Sequence, residues 1–401
     1  MKNYSPDFFN FISSHKGADP NSLRLSMKKD RFNFDIEEAV TQIECRNKAQ
    51  VKLKKFIENP CFVFPDGLSY EQSSHQAIAF FHASLAGKDE KLLDMTGGLG
   101  IDAFSFSDKG VNVTVIELEK RKADILELNA SSFNLKNFKV INADSIEYLR
   151  NTEEHFTSIF IDPARRDNML KRVYNLRDCS PDVISNQDLL LNKADRILIK
   201  ASPLLDISQT IKDFPMLTTI RAIGVKGECK EILIELSRKN ENSDPLVEAI
   251  NLDNEGSIIN KFSVKRSFSF MKQENIIPLS EKKDLVPGIY ILEPSPMVMK
   301  LAPWSSICEK FSAKKLSINS HIFISNTLPV NFPGRVTKFE KTLKKQDRKS
   351  FVGFPASVVS RNYPLSSDEI RKSFKLKEGD QNFIYATRIG EQPILIHTVT
   401  I

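Results

Sequence analysis

The stretch Leu92–Asp102, LLDMTGGLGID, constrains the fold of this chain more than any other. The apolar run Lys91–Met95 reads as a buried strand. It carries an acid, Asp94, then passes into Gly97, Gly98 and Gly100, and a helix-like stretch follows from Ile101. Strand, glycine turn and helix form the opening unit of a doubly wound α/β domain, whose first loop holds a nucleotide. The glycines let the backbone turn tightly and approach a ligand closely.

The segments around that loop fit the same architecture. Residues 1–85 read as mainly helical, with Ile36, Ala39, Val40 and Ile43 at helical spacing. Cys61–Phe64 reads as a short strand closed by Pro65-Asp66-Gly67, and Glu71–Leu85 as one further helix. From 91 to 238 strands and helices alternate, which implies a parallel sheet. Strands are expected at Lys91–Met95, Val111–Ile116, Phe138–Asn142, Ser158–Ile161 and Arg196–Lys200. Helices are expected at Ile101–Asp108, Lys120–Phe133, around Ser145–Leu149, and over Pro181–Leu191 with Ser180 as its cap. Leu217–Val225 and Glu228–Leu236, joined at Lys226-Gly227, read as a hairpin, so the sheet should finish with an antiparallel strand.

Segment 241–280 reads as a β-rich connection, and the character changes again from about 281. A strand at Ile289–Leu292, a helix at Trp304–Phe311 and a strand at Ile322–Ser325 precede a basic run: Arg335, Lys338, Lys341, Lys344, Lys345, Arg348 and Lys349. That run reads either as a solvated amphipathic helix or as a phosphate-docking surface. Ser366 and Glu369 have capping-box spacing, and Phe383–Ile389 with Ile394–Thr400 reads as a closing hairpin. With 401 residues the chain exceeds one typical domain. The expected boundaries are 1–85, 86–240, 241–280, 281–325 and 326–401.

Bulk properties exclude several classes. No apolar run approaches the roughly 18–20 residues that span a bilayer. The N-terminal sequence lacks the pattern of a secretory leader. The five cysteines are scattered, odd in number and never in a CxxC pair, which argues for reduced thiols in a cytoplasm and against a structural zinc site. None of the six histidines forms an HxxxH or HExxH pair, so no metal is expected. His75 and His82 read as half-buried packing residues. A net charge of +6 is compatible with a polyanionic partner.

Carboxylates decide which nucleotide suits the loop. Gly98 to Ala103 fits G-x-G-x-x-A, the dinucleotide fingerprint, but that loop must receive a pyrophosphate. Asp94 and Asp102 flank it and would repel a diphosphate. They suit a ligand with an ammonium and a sulfonium, which is S-adenosylmethionine (SAM). Glu117 ends the second strand, where an acid can take ribose hydroxyls. Asp144 follows the third strand, where an acid can accept from an adenine amino group. Asp162 ends the fourth, where a reacting group would sit. All are at the carboxyl edge of the expected sheet.

These residues resemble the motifs of class I SAM-dependent methyltransferases. DMTGGLGID resembles motif I, Glu117 the acid of motif II, Asp144 motif III and Asp162-Pro163-Ala164-Arg165 motif IV. EQSSHQA, TGGLGID, IDPARR, LIKASP and VKGECKE together resemble a bacterial methyltransferase family with C-terminal ferredoxin-like and THUMP-like domains. The resemblance implies a Rossmann-like seven-stranded α/β domain after a helical N-terminal region, with a small α+β domain at the end; the ferredoxin-like piece falls at 281–325 and the THUMP-like domain at 326–401. Its implied cofactor contacts are Asp94, Thr96, Gly97, Gly98, Gly100, Asp102, Glu117, Leu118, Asp144 and Ser145. A THUMP-like domain implies RNA docking, on tRNA or rRNA.

Asp162-Pro163 resembles the DPPY turn of enzymes that methylate exocyclic base nitrogens, with Arg165 in the aromatic position. A guanidinium can stack on a base or grip a phosphate. The expected catalytic residues are therefore Asp162, Pro163 and Arg165, and the expected substrate contacts Arg165, Arg166 and Lys200. Methylation of pyrimidine C5 needs a cysteine nucleophile near strand five, where the chain reads Ile199-Lys200-Ala201-Ser202-Pro203. The favoured expectation is a cytoplasmic SAM-dependent enzyme methylating a base nitrogen of structured RNA. A methyltransferase for a protein or small molecule, a non-catalytic RNA-binding module and an NAD-dependent oxidoreductase stay open.

Overall fold

The computed structural model describes residues 4–26, 32–165, 175–238, 244–266 and 285–401. The chain forms two compact units. The first holds residues up to 226, 230–243 and 252–259; the second holds 227–229, 244–251 and 260–401.

The first unit opens with helices α1 (Pro6–Ser14), α2 (Pro20–Ser26), α3 (Ile36–Lys48), α4 (Lys54–Ile57), α5 (Gly67–Gln72) and α6 (Gln76–Ser84). Phe8, Phe11 and Ile12 of α1 pack on Ile36, Ala39, Val40 and Ile43 of α3, the apolar stripe of that helix. Asp35 caps α3, accepting from the amides of Glu37 and Glu38.

The α/β part follows as β1 (Lys91–Asp94), α7 (Ile101–Asp108), β2 (Asn112–Glu117), α8 (Lys120–Ser132), β3 (Phe138–Asn142), α9 (Ser145–Asn151), β4 (Phe156–Ile161), the short β5 (Ala164–Arg165) and β6 (Cys179–Ser180), α10 (Gln187–Lys193), β7 (Ala194–Ala201), α11 (Ile207–Asp213), β8 (Leu217–Val225) and β9 (Glu228–Leu236). Within this unit the sheet order is β8-β9-β7-β4-β1-β2-β3. Strands β3, β2, β1, β4 and β7 are parallel, while β9 pairs antiparallel with β7. The order reverses between β1 and β4, so the ligand crevice of such a sheet lies beyond the carboxyl ends of these two strands. Next come β10 (Leu246–Leu252) and β11 (Ile258–Lys265), whose residues are shared between the units.

The second unit continues with β12 (Tyr290–Pro294), α12 (Pro296–Leu301), α13 (Trp304–Lys310), β13 (Lys314–Lys315), β14 (Phe323–Ser325), β15 (Gly334–Leu343), β16 (Ser357–Ser360), α14 (Ser367–Phe374), β17 (Asn382–Ile389) and β18 (Gln392–Thr400). Its sheet runs β13-β14-β12-β15-β18-β17-β16. Along β17 the side chains alternate. Phe383 and Tyr385 enter one core with Ile291, Ile324 and Ile396; Ile384 and Ala386 enter another with Ile370 and Phe374 of α14. The capping box Ser366–Glu369 starts α14.

Four local expectations need correction. The helix expected over Glu71–Leu85 is broken at Ser73–His75 into α5 and α6, because the Ser74 side chain and the His75 cap have partners a continuous helix would deny them. The helix expected from Pro181 begins only at Gln187; Ser180 pairs with Ala164 across β5 and β6 and is not a cap. Cys61–Phe64 is not a strand. Side-chain amides stand in for a ladder there: Asn129 bonds the backbone N–H and C=O of Val63, and Gln42 those of Phe64. The basic run is not an α-helix. Gly334–Leu343 is a strand paired on both sides, with Thr337 and Phe339 buried at period two, and Lys345–Phe351 is a 3₁₀ turn.

Candidate active site

The glycine loop is clamped between neighbouring strands. The Met95 amide donates to Phe160 O of β4, and the Gly97 amide to Ile116 O of β2, each at 3.0 Å. A Cβ on Gly97 would stand 2.8 Å from Leu126 Cδ1 and Val115 Cγ1. One on Gly100, where φ is +83°, would stand 2.5 Å from Leu126 Cδ2. These two glycines exist because the loop lies flat on the core. Gly98 differs: the nearest atom to its Cβ position is Thr96 O at 3.8 Å, so the open side of the loop lies above it.

The acids surround that open side in two ways. Asp94 is 2% exposed and accepts from the Thr96 amide at 2.9 Å and its hydroxyl at 3.3 Å. Burial, together with the charges of Asp102 and Asp162, pushes its carboxyl up to about 7 against the pull of the Thr96 amide. The Thr96 hydroxyl also accepts from the Asp162 amide at 2.8 Å, tying β1 to β4. Glu117 Oε2 accepts from the Gly98 amide and Oε1 from the Glu119 amide, both at 2.8 Å. Leu118 is 72% exposed beside it. Asp144 caps α9 through the Glu147 amide, and Ser145 is the first residue of that helix. Pro163 is buried. Arg165 lies exposed on β5 opposite Cys179, and Arg166 falls outside the described residues.

Beneath the loop sits a charged network that sequence reasoning missed in part. Lys200 Nζ donates to Asp162 Oδ2 at 2.6 Å and to Ser74 Oγ at 2.9 Å. Ser74 donates to Asp102 Oδ2 at 2.5 Å. His82 Nδ1 lies 2.8 Å from Asp102 Oδ1, and its Nε2 2.7 Å from Glu231 Oε1. Both ring nitrogens face carboxylates, which only accept, so both donate and the ring is an imidazolium. Burial alone would lower the His82 pKa, but the Glu231 charge and the bonds to Asp102 and Glu231 raise it to about 9. Burial likewise opposes the charge on Lys200, and Asp162, Glu231 and Asp102 more than restore it. The Asp102 carboxyl is penalised by burial, yet His82, Lys200 and Ser74 hold it below the usual range.

His82 is therefore not a packing residue; it is fully buried and ion-paired on both sides. His75 is half-buried, and its Nδ1 accepts from the Ala77 amide as the cap of α6. Ser74 and Glu231 stood inside the quoted stretches EQSSHQA and VKGECKE, but each is surrounded there by other polar residues, so no local signal singled it out.

In sum the structure brings Asp94, Asp102, Asp162 and Lys200 together at the ends of β1, β4 and β7, with Glu117 across the loop. Asp102, Asp162 and Glu231 outnumber Lys200 and His82 by one negative charge before Asp94 is counted. A buried cluster of that sign attracts a cation and repels a diphosphate. The open face above Gly98 and the incompletely satisfied Asp94 fit a ligand with an amino group.

Comparison with known proteins agrees with this architecture. Residues 76–195 match the family described as Conserved hypothetical protein 95, residues 290–333 a ferredoxin-like domain, and residues 334–399 a THUMP domain-like module. The crystal structure of a candidate methyltransferase from Porphyromonas gingivalis W83 has the same fold, with a TM-score of 0.84 and 24% identity over 98% of this chain and 97% of that one. An uncharacterised RNA methyltransferase of Mycoplasma mobile is 25% identical over 148 residues, which is 36% of this chain and 40% of the relative. This chain thus spans less than half the length of that curated relative. Three domain models thus match in succession along the chain, a Conserved hypothetical protein 95 region, a ferredoxin-like domain and a THUMP domain-like module, and the fold over nearly the whole chain is that of the Porphyromonas gingivalis structure.

Proposed function

We propose that this protein transfers the methyl group of SAM to a base nitrogen of structured RNA, tRNA or rRNA, in the cytoplasm. The observation that carries the reading is Asp162: a carboxylate at the end of β4, beside the glycine loop, held by Lys200 on Oδ2 and by Thr96 through its amide. Oδ1 is the oxygen presented to a target amine. An amine that donates to this oxygen is oriented with its lone pair toward the methyl donor, which is the alignment an in-line displacement requires.

SAM, when bound, supplies an electrophilic methyl on a sulfonium. Asp94, with Thr96, Gly97, Gly98 and Gly100, would face its amino-acid part. Glu117, Leu118, Asp144 and Ser145 would face its nucleoside, and Asp102 adds negative charge from beneath. Pro163 stiffens the turn after Asp162. Arg165, and Arg166 with it, is suited to stack on the base or hold a phosphate.

RNA as the target is supported by the THUMP-like match and by the Mycoplasma mobile relative. Exposed Arg335, Lys338, Lys341, Lys344, Lys345, Arg348 and Lys349 offer a phosphate-contacting surface on the second unit. Among the described residues no helix is long and apolar enough to cross a membrane.

Two measurements test the reading. Calorimetry should detect SAM binding that Asp94→Ala or Glu117→Ala abolishes; unchanged affinity in both variants refutes the cofactor site. RNA from cells lacking the protein should lose one methylated nucleoside. Intact RNA methylation with retained SAM binding would instead favour a protein or small-molecule target, and RNA binding without SAM binding a non-catalytic module.

A further inference from the structure

We propose that Glu231, His82, Asp102 and Ser74 form a buried relay of positioning residues that holds Lys200 against Asp162, so that the acceptor carboxylate offers a single free oxygen in a fixed direction. This inference rests on Asp162 being the amine acceptor.

The chemistry of each link leaves the relay one hydrogen-bond arrangement. An ammonium only donates, so Ser74 Oγ accepts from Lys200 and its one hydrogen must go to Asp102. That fills Oδ2 of Asp102, and His82 fills Oδ1. The second nitrogen of the imidazolium goes to Glu231. Each group in the line from Glu231 to Asp162 has its direction set by its neighbour. Nothing in the line can flip without leaving a buried charge unpaired, which is far costlier than losing a surface contact.

Its placement in the chain supports a positioning role. The five links come from α6, α7, β7, β9 and the break between α5 and α6, and they end on Asp162, whose side chain is 38% exposed. The break itself is informative. A continuous helix through Ser74 would be the ordinary outcome of that sequence, and the structure gives it up where Ser74 joins Lys200 to Asp102. Buried ion networks are neutral or costly for stability compared with apolar packing of the same volume. A network built across five elements toward one carboxylate is therefore better explained by what it holds in place. Lys200, expected from sequence as a substrate contact, acts here through Asp162.

The test uses the full chain, tritiated SAM and total RNA from cells lacking the protein. Ser74→Ala should lower kcat by about 10–100-fold, the penalty of a loosened acceptor, with SAM affinity and the KM for RNA within twofold of wild type. Ser74→Thr, which keeps the hydroxyl, should restore most of the rate. Ser107→Ala, which deletes another buried hydroxyl, bonded to Asn137, should leave kcat unchanged. A Ser74→Ala enzyme with wild-type kcat and an unchanged melting temperature overturns the proposal. If the wild type binds SAM but methylates no RNA, the base-nitrogen reading fails instead, and the relay is then judged by histidine nitrogen NMR at pH 7.5. His82 should be doubly protonated, and Asp162→Asn should shift its ring signals in the wild-type background but not with Ser74→Ala. No shift in the wild-type background overturns the relay.

Discussion

The buried imidazolium gives the sharpest test of the network as a physical object. Its two carboxylate partners raise His82 to about 9, against 6.5 for an ordinary histidine. A basic group whose pKa is raised by folding stabilises fully below its unfolded value and loses that contribution as pH rises through the folded one. The difference corresponds to about 3 kcal/mol below pH 6.5, about 2 kcal/mol at pH 7.5 and nearly nothing by pH 10. The perturbation should remove this term without leaving a bare buried charge. His82→Gln with Glu231→Gln does so, since it deletes one positive and one negative group and leaves Asp102 its bonds to Ser74 and to the new amide. Urea unfolding at pH 6, 7.5 and 9.5 measures the loss. The single tryptophan, Trp304, lies in the second unit, so far-ultraviolet circular dichroism must follow the helices of the first. The double variant should be about 3 kcal/mol less stable than wild type at pH 6 and nearly equal to it at pH 9.5. A cost that is the same at all three pH values would refute the imidazolium and with it the electrostatic account of the site.

Two further outcomes follow from the loop. Asp94 titrates near 7 in the free protein and must be ionised to face an ammonium, so SAM affinity should fall by up to about tenfold per pH unit below 7 and level off above it; calorimetry in two buffers should show proton release, and Asp94→Asn should bind weakly with no such slope. Gly100→Ala should cost about 2–4 kcal/mol, from a left-handed backbone and a Cβ driven into Leu126 and Phe104, whereas Gly98→Ala should cost only about 1 kcal/mol in thermal melting while weakening SAM binding.

Much of the first unit was legible because its signals are local. The glycine loop, the acids at successive strand ends and the alternation of period-two and period-3.6 segments need only near neighbours to be read. The antiparallel end of the sheet was legible too, because the hairpin turn Lys226-Gly227 is a local signal. The failures were places where a distant partner overrode a local rule. Pro181 is a good helix start until Ser180 is engaged by Ala164. Cys61–Phe64 has the composition of a strand, but its backbone groups are met by Asn129 and Gln42. The basic run has helical spacing of charge, yet strands on both sides and the buried Thr337 and Phe339 make it β.

The sequence by itself determined the fold class, the position of the glycine loop and the sign of the charge around it, because glycines and strand-end acids act where they stand. Only the tertiary structure decided which of those acids are tied down. Glu231 lies 149 residues from His82, and Lys200 lies 126 from Ser74. No periodicity joins residues so far apart. Sheet order brings β7 beside β4 and β9 beside β7, and burial then requires each charge to find a partner. That requirement turned a histidine with no sequence motif into the centre of the network and set Lys200 against Asp162.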